Sequence, residues 1–350
     1  MAFNSLKIGD LIAKVPIIQG GMGVGVSRSR LASSVANQGG IGTISGVQIG
    51  FLEDDFYINP LEANLRALRK EIKKARELSP KGIIAVNFLM AIQNYNAMVS
   101  VAIEEGIDIV VSGAGLPLIL PELVKGTKTK IAPIVSSARA AKIILKQWDR
   151  KYDTTADLII VEGPLAGGHL GFNQDDLESG QTPLLKDIVI DVINEIKPFE
   201  EKYHKIPVVA AGGIYTKQDI EELLNIGADG VQIATRFVVT EECDADLAFK
   251  MAYIDAKQSD IEIIKSPVGM PGRVLNNAFL KNVKNAKQKI NSCFVCLKGC
   301  NPNLSPYCIS EALVNSVKGK VNEGLMFVGS NAFRLNKMTT VKELMQELTI

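Results

Sequence analysis

The chain has 350 residues, 47% of them hydrophobic, with 39 basic and 38 acidic side chains for a formal net charge of +1. That size can bury a large core, enough for one big domain with an extension, and the near-neutral balance argues against nucleic acid or another polyanion as partner. No apolar run reaches bilayer length, no charged-then-apolar signal opens the chain, and five cysteines are too few and too clustered for a disulfide scaffold, so a small-molecule enzyme of the reducing cytoplasm, without a membrane partner, is expected.

In chain order, short β-prone apolar runs alternate with longer segments whose apolar residues recur every three to four positions. Strands are predicted at 15–18, 42–44, 83–87, 107–111, 131–135, 158–161, 207–210 and 230–233. Helices are predicted between them, for example at 60–78, 95–105, 138–148 and 217–226. Runs that are apolar on both faces are what a parallel sheet covered by helices requires. Eight such units fit the repeat and size of a (β/α)8 TIM barrel, whereas a doubly wound open sheet is harder to reconcile with eight evenly spaced units. The expected fold is therefore α/β, a barrel over residues 1–255. Residues 256–350, with the turn-rich stretch 266–273, a cysteine cluster and a helix-like segment at 309–317, form an extension folded onto it.

Glycine-bearing turns follow the predicted strands. Gln19-Gly20-Gly21-Met22-Gly23 follows the first, Ser112-Gly113-Ala114-Gly115 the fourth and Gly212-Gly213 the seventh, and Ala234-Thr235-Arg236 follows the eighth. Any one of these serves as a tight turn. Together they place backbone N–H groups around one rim, and the last two fall where barrels often bind phosphate, so a phosphorylated ligand is expected. Asn87 ends the third strand, and its amide can both donate to and accept from a flavin or ribityl edge.

The sixth strand leads into Glu162-Gly163-Pro164-Leu165-Ala166-Gly167-Gly168-His169, inside a long polar linker running to about residue 183. Such a loop is usually functional. Gly167 and Gly168 let the backbone approach a ligand, and His169 stands directly behind them with the side chain best suited to proton transfer near neutral pH. Glu162 can orient His169, bind a ribityl hydroxyl or cap the loop. His204, the other histidine, sits in a charged approach to the seventh strand and reads as a surface residue.

Cys293, Cys296, Cys300 and Cys308 form C-x2-C-x3-C-x7-C, a spacing that can collect an iron–sulfur cluster or zinc, or simply make a cysteine-rich turn in a reduced protein. Cys243 is flanked by Glu241, Glu242 and Asp244, which raise a thiol pKa, so it is expected to be inert. That argues against a barrel with a cysteine nucleophile of the inosine-monophosphate dehydrogenase type.

Four segments, 16–23, 166–171, 210–214 and 231–237, together resemble the nitronate monooxygenase family (2-nitropropane dioxygenases), which also contains the FMN-dependent enoyl-acyl-carrier-protein reductase II enzymes. The resemblance covers the barrel in order and implies a TIM barrel holding FMN non-covalently. It implies that the Gln19–Gly23 turn and Asn87 line the flavin, that Ser112 and Gly113 lie beneath it, and that Gly168, Gly212, Gly213, Ala234 and Thr235 receive its phosphate side. Ala234 replaces the more usual glycine, though its N–H can still donate. Ser330, in Gly329-Ser330-Asn331-Ala332, matches the segment that returns over the ring, and His169 matches the family's active-site histidine. The implied reaction is oxidation of an alkyl nitronate, with O2, to a carbonyl compound and nitrite. NAD(P)H-dependent reduction of an enoyl thioester is the alternative, although no NAD(P)H site is identifiable at the mouth. A non-catalytic flavin or iron–sulfur redox module is the third reading.

Overall fold

The computed structural model describes residues 3–290 and 293–350. Eight parallel strands close into a barrel: β1 (Ile17–Gln19), β2 (Ile41–Ser45), β3 (Ile83–Leu89), β4 (Ile109–Gly113), β5 (Lys130–Val135), β6 (Ile159–Glu162), β7 (Val208–Ala211) and β8 (Gly230–Ile233). They pair in sequence order, and β8 closes on β1 through Gln232 opposite Ile18.

Alternation along each strand builds two cores. Ile18, Ile41, Ala85, Ile109, Ala132, Ile160 and Val209 point into the barrel. Their neighbours, such as Ile17, Val86, Val110 and Val161, point outward against the helices. Helix Pro60–Leu78 shows why the helical segments form. Pro60 starts it, Glu62 sits in its first turn, and Ala63, Ala67, Leu68, Ile72 and Ala75 make one buried stripe. Helix Lys217–Asn225 opens on a capping box between Thr216 and Asp219.

The strand expected at 107–111 runs instead over 109–113. Ile107 N–H closes the preceding helix on Ala102 O (3.1 Å) through Gly106 in the left-handed region, which delays the strand. A hairpin of Leu6–Ile8 and Leu11–Ala13 plugs the amino end of the barrel, with Leu6, Ile8 and Ala13 joining its interior core. The linker after β6 carries the two-residue strand Gly168–His169 and the short helix Gln174–Ser179.

Residues 261–335 contribute the roof, whereas the final helix Val341–Thr349 packs on the outside of the barrel, with Val341, Leu344, Met345 and Leu348 buried in the same core as the barrel helices. Ile261–Lys265 and Pro271–Leu275 pair antiparallel, and the second of these pairs with Gly168–His169. A small core of Val274, Phe279, Leu280, Tyr307, Ile309, Ala312 and Leu325 holds helix Ile309–Val317 in place. No helix among the described residues is long and apolar enough to cross a membrane.

Candidate active site

The carboxyl ends of the strands and the roof enclose a cavity of ≈ 230 Å³. The barrel lines it with Gly20, Gly21, Met22 and Gly23 after β1, Asn87 in β3, Gly113 ending β4, Glu162 ending β6, and Gly167, Gly168 and His169 beyond it. Gly212 and Gly213 after β7 and Ala234 and Thr235 after β8 complete the rim, and Ser330 enters from the roof. Positions far apart in sequence thus meet in one cavity, at the end of the barrel where sites of this fold lie.

Gln19 and Ser112 do not line it. Gln19 is fully buried, its side-chain oxygen accepting from Thr43 N–H (3.0 Å) and its amide nitrogen donating to Gly20 O. Ser112 is fully buried and shares a 2.6 Å hydrogen bond with the Tyr95 hydroxyl. Both side chains brace the rim from beneath.

The wall fits a polar ligand. A Cβ on Gly167 would come within 2.7 Å of the carbonyl carbon of Val328, so only glycine lets the roof backbone lie this close. Gly212 adopts φ +99°, a conformation that L side chains rarely take, and turns the chain out of β7 into the cavity wall. Ser330 Oγ and Gln232 Oε1 are buried on cavity-lining residues without a hydrogen-bond partner, the condition that a bound polar group relieves. Ala234 provides no capping side chain for the short helix Thr235–Val238.

His169 is the only imidazole in the cavity wall. Its Nε2 shares a 2.8 Å hydrogen bond with Ser266 Oγ, and its ring lies 4.7 Å from that of Phe327. Ser266 Oγ also accepts from Val268 N–H (3.3 Å). A hydroxyl both donates and accepts, so Ser266 can hold either neutral tautomer. Nδ1 then either receives a proton or donates one to a ligand oxygen. Burial lowers the His169 pKa to about 4, which keeps the ring neutral near pH 7.

Glu162 faces the same cavity. Burial raises its pKa to about 8 and outweighs the opposing pull of Arg273. Arg273 is itself buried and donates to Pro164 O (2.8 Å) and Ala166 O, tying down the loop that carries His169. Gln232 lies within the segment 231–237 without standing out as a cavity residue, and Ser266, Arg273 and Phe327 are not marked as site residues by their sequence neighbours. The one available signal was the turn at 266–273, whose residues meet the histidine only in the folded chain.

All four clustered cysteines border one small cavity of ≈ 70 Å³. Among the described residues, however, no three His, Cys, Asp or Glu side chains are placed to hold a metal ion. The described side chains thus do not assemble the ligand set expected for an iron–sulfur or zinc site at Cys293, Cys296, Cys300 and Cys308. The thiols are free and bonded locally: Cys293 Sγ accepts from Val295 N–H, and Cys300 Sγ contacts Ser305 Oγ, each at 3.4 Å. Burial raises the Cys296 pKa and lifts that of Cys308 to about 11, so both stand as neutral thiols in the metal-free chain. Cys243 is buried and its pKa is raised to about 11, chiefly by desolvation, with Asp244 contributing less. His204 is exposed.

The profile of the family described as nitronate monooxygenase matches residues 4–350. A probable nitronate monooxygenase of Staphylococcus saprophyticus is 25% identical, the match covering 92% of this chain and 99% of that one. FabK of Thermotoga maritima superposes with a TM-score of 0.71 at 26% identity, over 95% of this chain and 91% of that one. A nitroalkane oxidase of Streptomyces ansochromogenes gives a TM-score of 0.72 at 21% identity, over 95% and 94%, a likeness of fold.

Proposed function

The chain belongs to the nitronate monooxygenase family, and on that premise we propose that its barrel binds FMN and oxidises alkyl nitronates, with O2, to carbonyl compounds and nitrite. One observation carries the reading: a glycine-walled cavity with unpartnered polar atoms of Ser330 and Gln232 opens beside a neutral, serine-held imidazole.

In this reading Gly20–Gly23 and Asn87 line the flavin, Gly113 lies beneath it, and Glu162 meets the ribityl hydroxyls. Gly167, Gly168, Gly212, Gly213, Ala234 and Thr235 surround the phosphate, and the segment carrying Ser330 returns over the ring. The bound flavin supplies the electron-accepting chemistry. The chain supplies position and polarity. Ser266 orients the ring of His169 and can hold either neutral tautomer, so that Nδ1 accepts the carbon-bound proton of a neutral nitroalkane in one and donates to a nitro oxygen of the anion in the other. Phe327 and Val328 cover the cavity and keep water from the reacting atoms.

The likeness to FabK, an enoyl-acyl-carrier-protein reductase II, supports reduction of an enoyl thioester as a second reading. Anaerobic mixing separates the two. Nitronate oxidation predicts that flavin absorbance bleaches with an alkyl nitronate and persists with NADPH. Rapid bleaching by NADPH, followed by recovery on adding an enoyl thioester, would establish the reductase instead.

A further inference from the structure

A second cavity, of ≈ 60 Å³, lies beside the first. Val47, Leu89, His169 and Leu313 border both, so the two meet across a collar whose single polar member is the imidazole. Beyond the collar the walls are largely hydrocarbon, with Leu61, Ile92 and Met98 on the barrel side and Val268, Phe294 and Leu297 from the roof. The polar side chains of Gln48, Asn64, Asn94 and Ser310 also border it, and three of these are bonded to one another. Asn64 Nδ2 donates to Gln48 Oε1 (2.7 Å), and Gln48 Nε2 donates to Ser310 Oγ (3.0 Å). Asn64 Oδ1 accepts from Gly50 N–H (2.8 Å). Asn94 aside, these groups offer little unmet hydrogen bonding, and in a wall that is mostly hydrocarbon an apolar guest loses less than a polar one.

The cysteine-bearing segment forms one wall and is pinned in place. Gln93 N–H donates to Cys296 O and Lys298 N–H to Ala91 O, both at 3.0 Å, which sets Leu297 antiparallel to Ile92. Phe294 stacks on Phe56 with ring centroids 5.3 Å apart.

We propose that this side chamber receives the apolar chain of the substrate while its reacting carbon stays at His169, and that residues 294–297 limit the length accepted. The proposal rests on the reading of the main cavity as the site of nitronate chemistry. One water fills about 10–15 Å³ on the same scale, so the chamber takes roughly four to six carbon-sized groups.

The test reads binding apart from turnover. Straight-chain carboxylates from acetate to decanoate, which share the charge and planar head of a nitronate but cannot react, are titrated into the holoenzyme by calorimetry. Values of kcat/KM are measured for nitronates of the same lengths. Affinity and kcat/KM should rise about fourfold per methylene until four to six carbons extend beyond the head, then level off. Leu61→Trp should move that break to shorter chains and Leu297→Ala to longer ones, both being chamber residues outside the main cavity. Nitronate turnover without chain-length dependence, or a break unmoved in both variants, overturns the chamber and leaves nitronate oxidation standing. Carboxylate affinity that climbs with length, without nitronate turnover, retains the chamber and overturns the nitronate reading.

Discussion

The two sides of the main cavity are built by different means. The barrel side is mostly backbone: glycines at strand ends, set there by local turns and presenting N–H groups over short stretches of sequence. The roof side works through side chains from residues 256–350. Ser266 fixes the imidazole, Arg273 ties down the loop before it, and Asn331 donates to Gly213 O (2.6 Å). The barrel thus offers a place to bind, and the roof decides how the reactive group stands within it.

The sharpest way to break this division is His169→Ala. As a general base, the histidine is worth about 10²–10⁴-fold on a neutral nitroalkane, and less on a pre-formed nitronate, which needs no deprotonation. Steady-state rates on both substrates check this, and equal losses would remove the base from the account. Arg273→Met should have the next largest effect. It leaves the carbonyls of Pro164 and Ala166 without their buried donor, at a cost of about 1–3 kcal/mol in urea unfolding, and weakens FMN binding roughly tenfold in a flavin titration. Lower stability with unchanged FMN affinity would reduce the roof to a simple cover.

The smallest effect is on pH dependence. The folded-state pKa of Glu162, about 8, lies above its ordinary value of 4.5, so the folded chain keeps a proton that the unfolded chain has released. Its contribution to stability is complete below pH 4.5 and is lost as pH rises through 8. Ionisation also places a negative charge beside an anionic substrate, so kcat/KM for nitronates should fall a few-fold as pH passes 8, and Glu162→Gln should flatten that fall. His169 runs the other way. Its pKa of about 4 lies below the unfolded value of 6.5, so stability is lost as pH falls from 6.5 towards 4.

Much of the barrel was legible because its signals are local. Helix 60–78 shows its stripe and its starting proline, and each β-rich run ends on residues suited to a turn. Helix Leu185–Lys202 is harder to see because Pro198 interrupts its pattern, and the three-residue strands of the plug hairpin are too short to show a period. The same contrast holds at the site. His169 and the glycine turns carry their meaning in neighbouring residues, whereas Arg273 and Ser266 gain theirs from partners about a hundred positions away. The cysteines show the converse case. Their spacing suits a metal, but spacing does not fix where sulfur atoms point, and burial keeps two of the thiols protonated.

The pairing of Gly168–His169 with Gly272 and Arg273 has a consequence for how the protein is made. A ribosome releases residue 169 about one hundred residues before its ladder partner, by which time all eight staves of the cylinder have been synthesised. Until the partner arrives, the imidazole has no fixed seat. The candidate site is therefore among the last features to be assembled, and a chain cut short after β8 would lose both the cover over the cavity and the final helix, whose Val341, Leu344, Met345 and Leu348 belong to the barrel's own core.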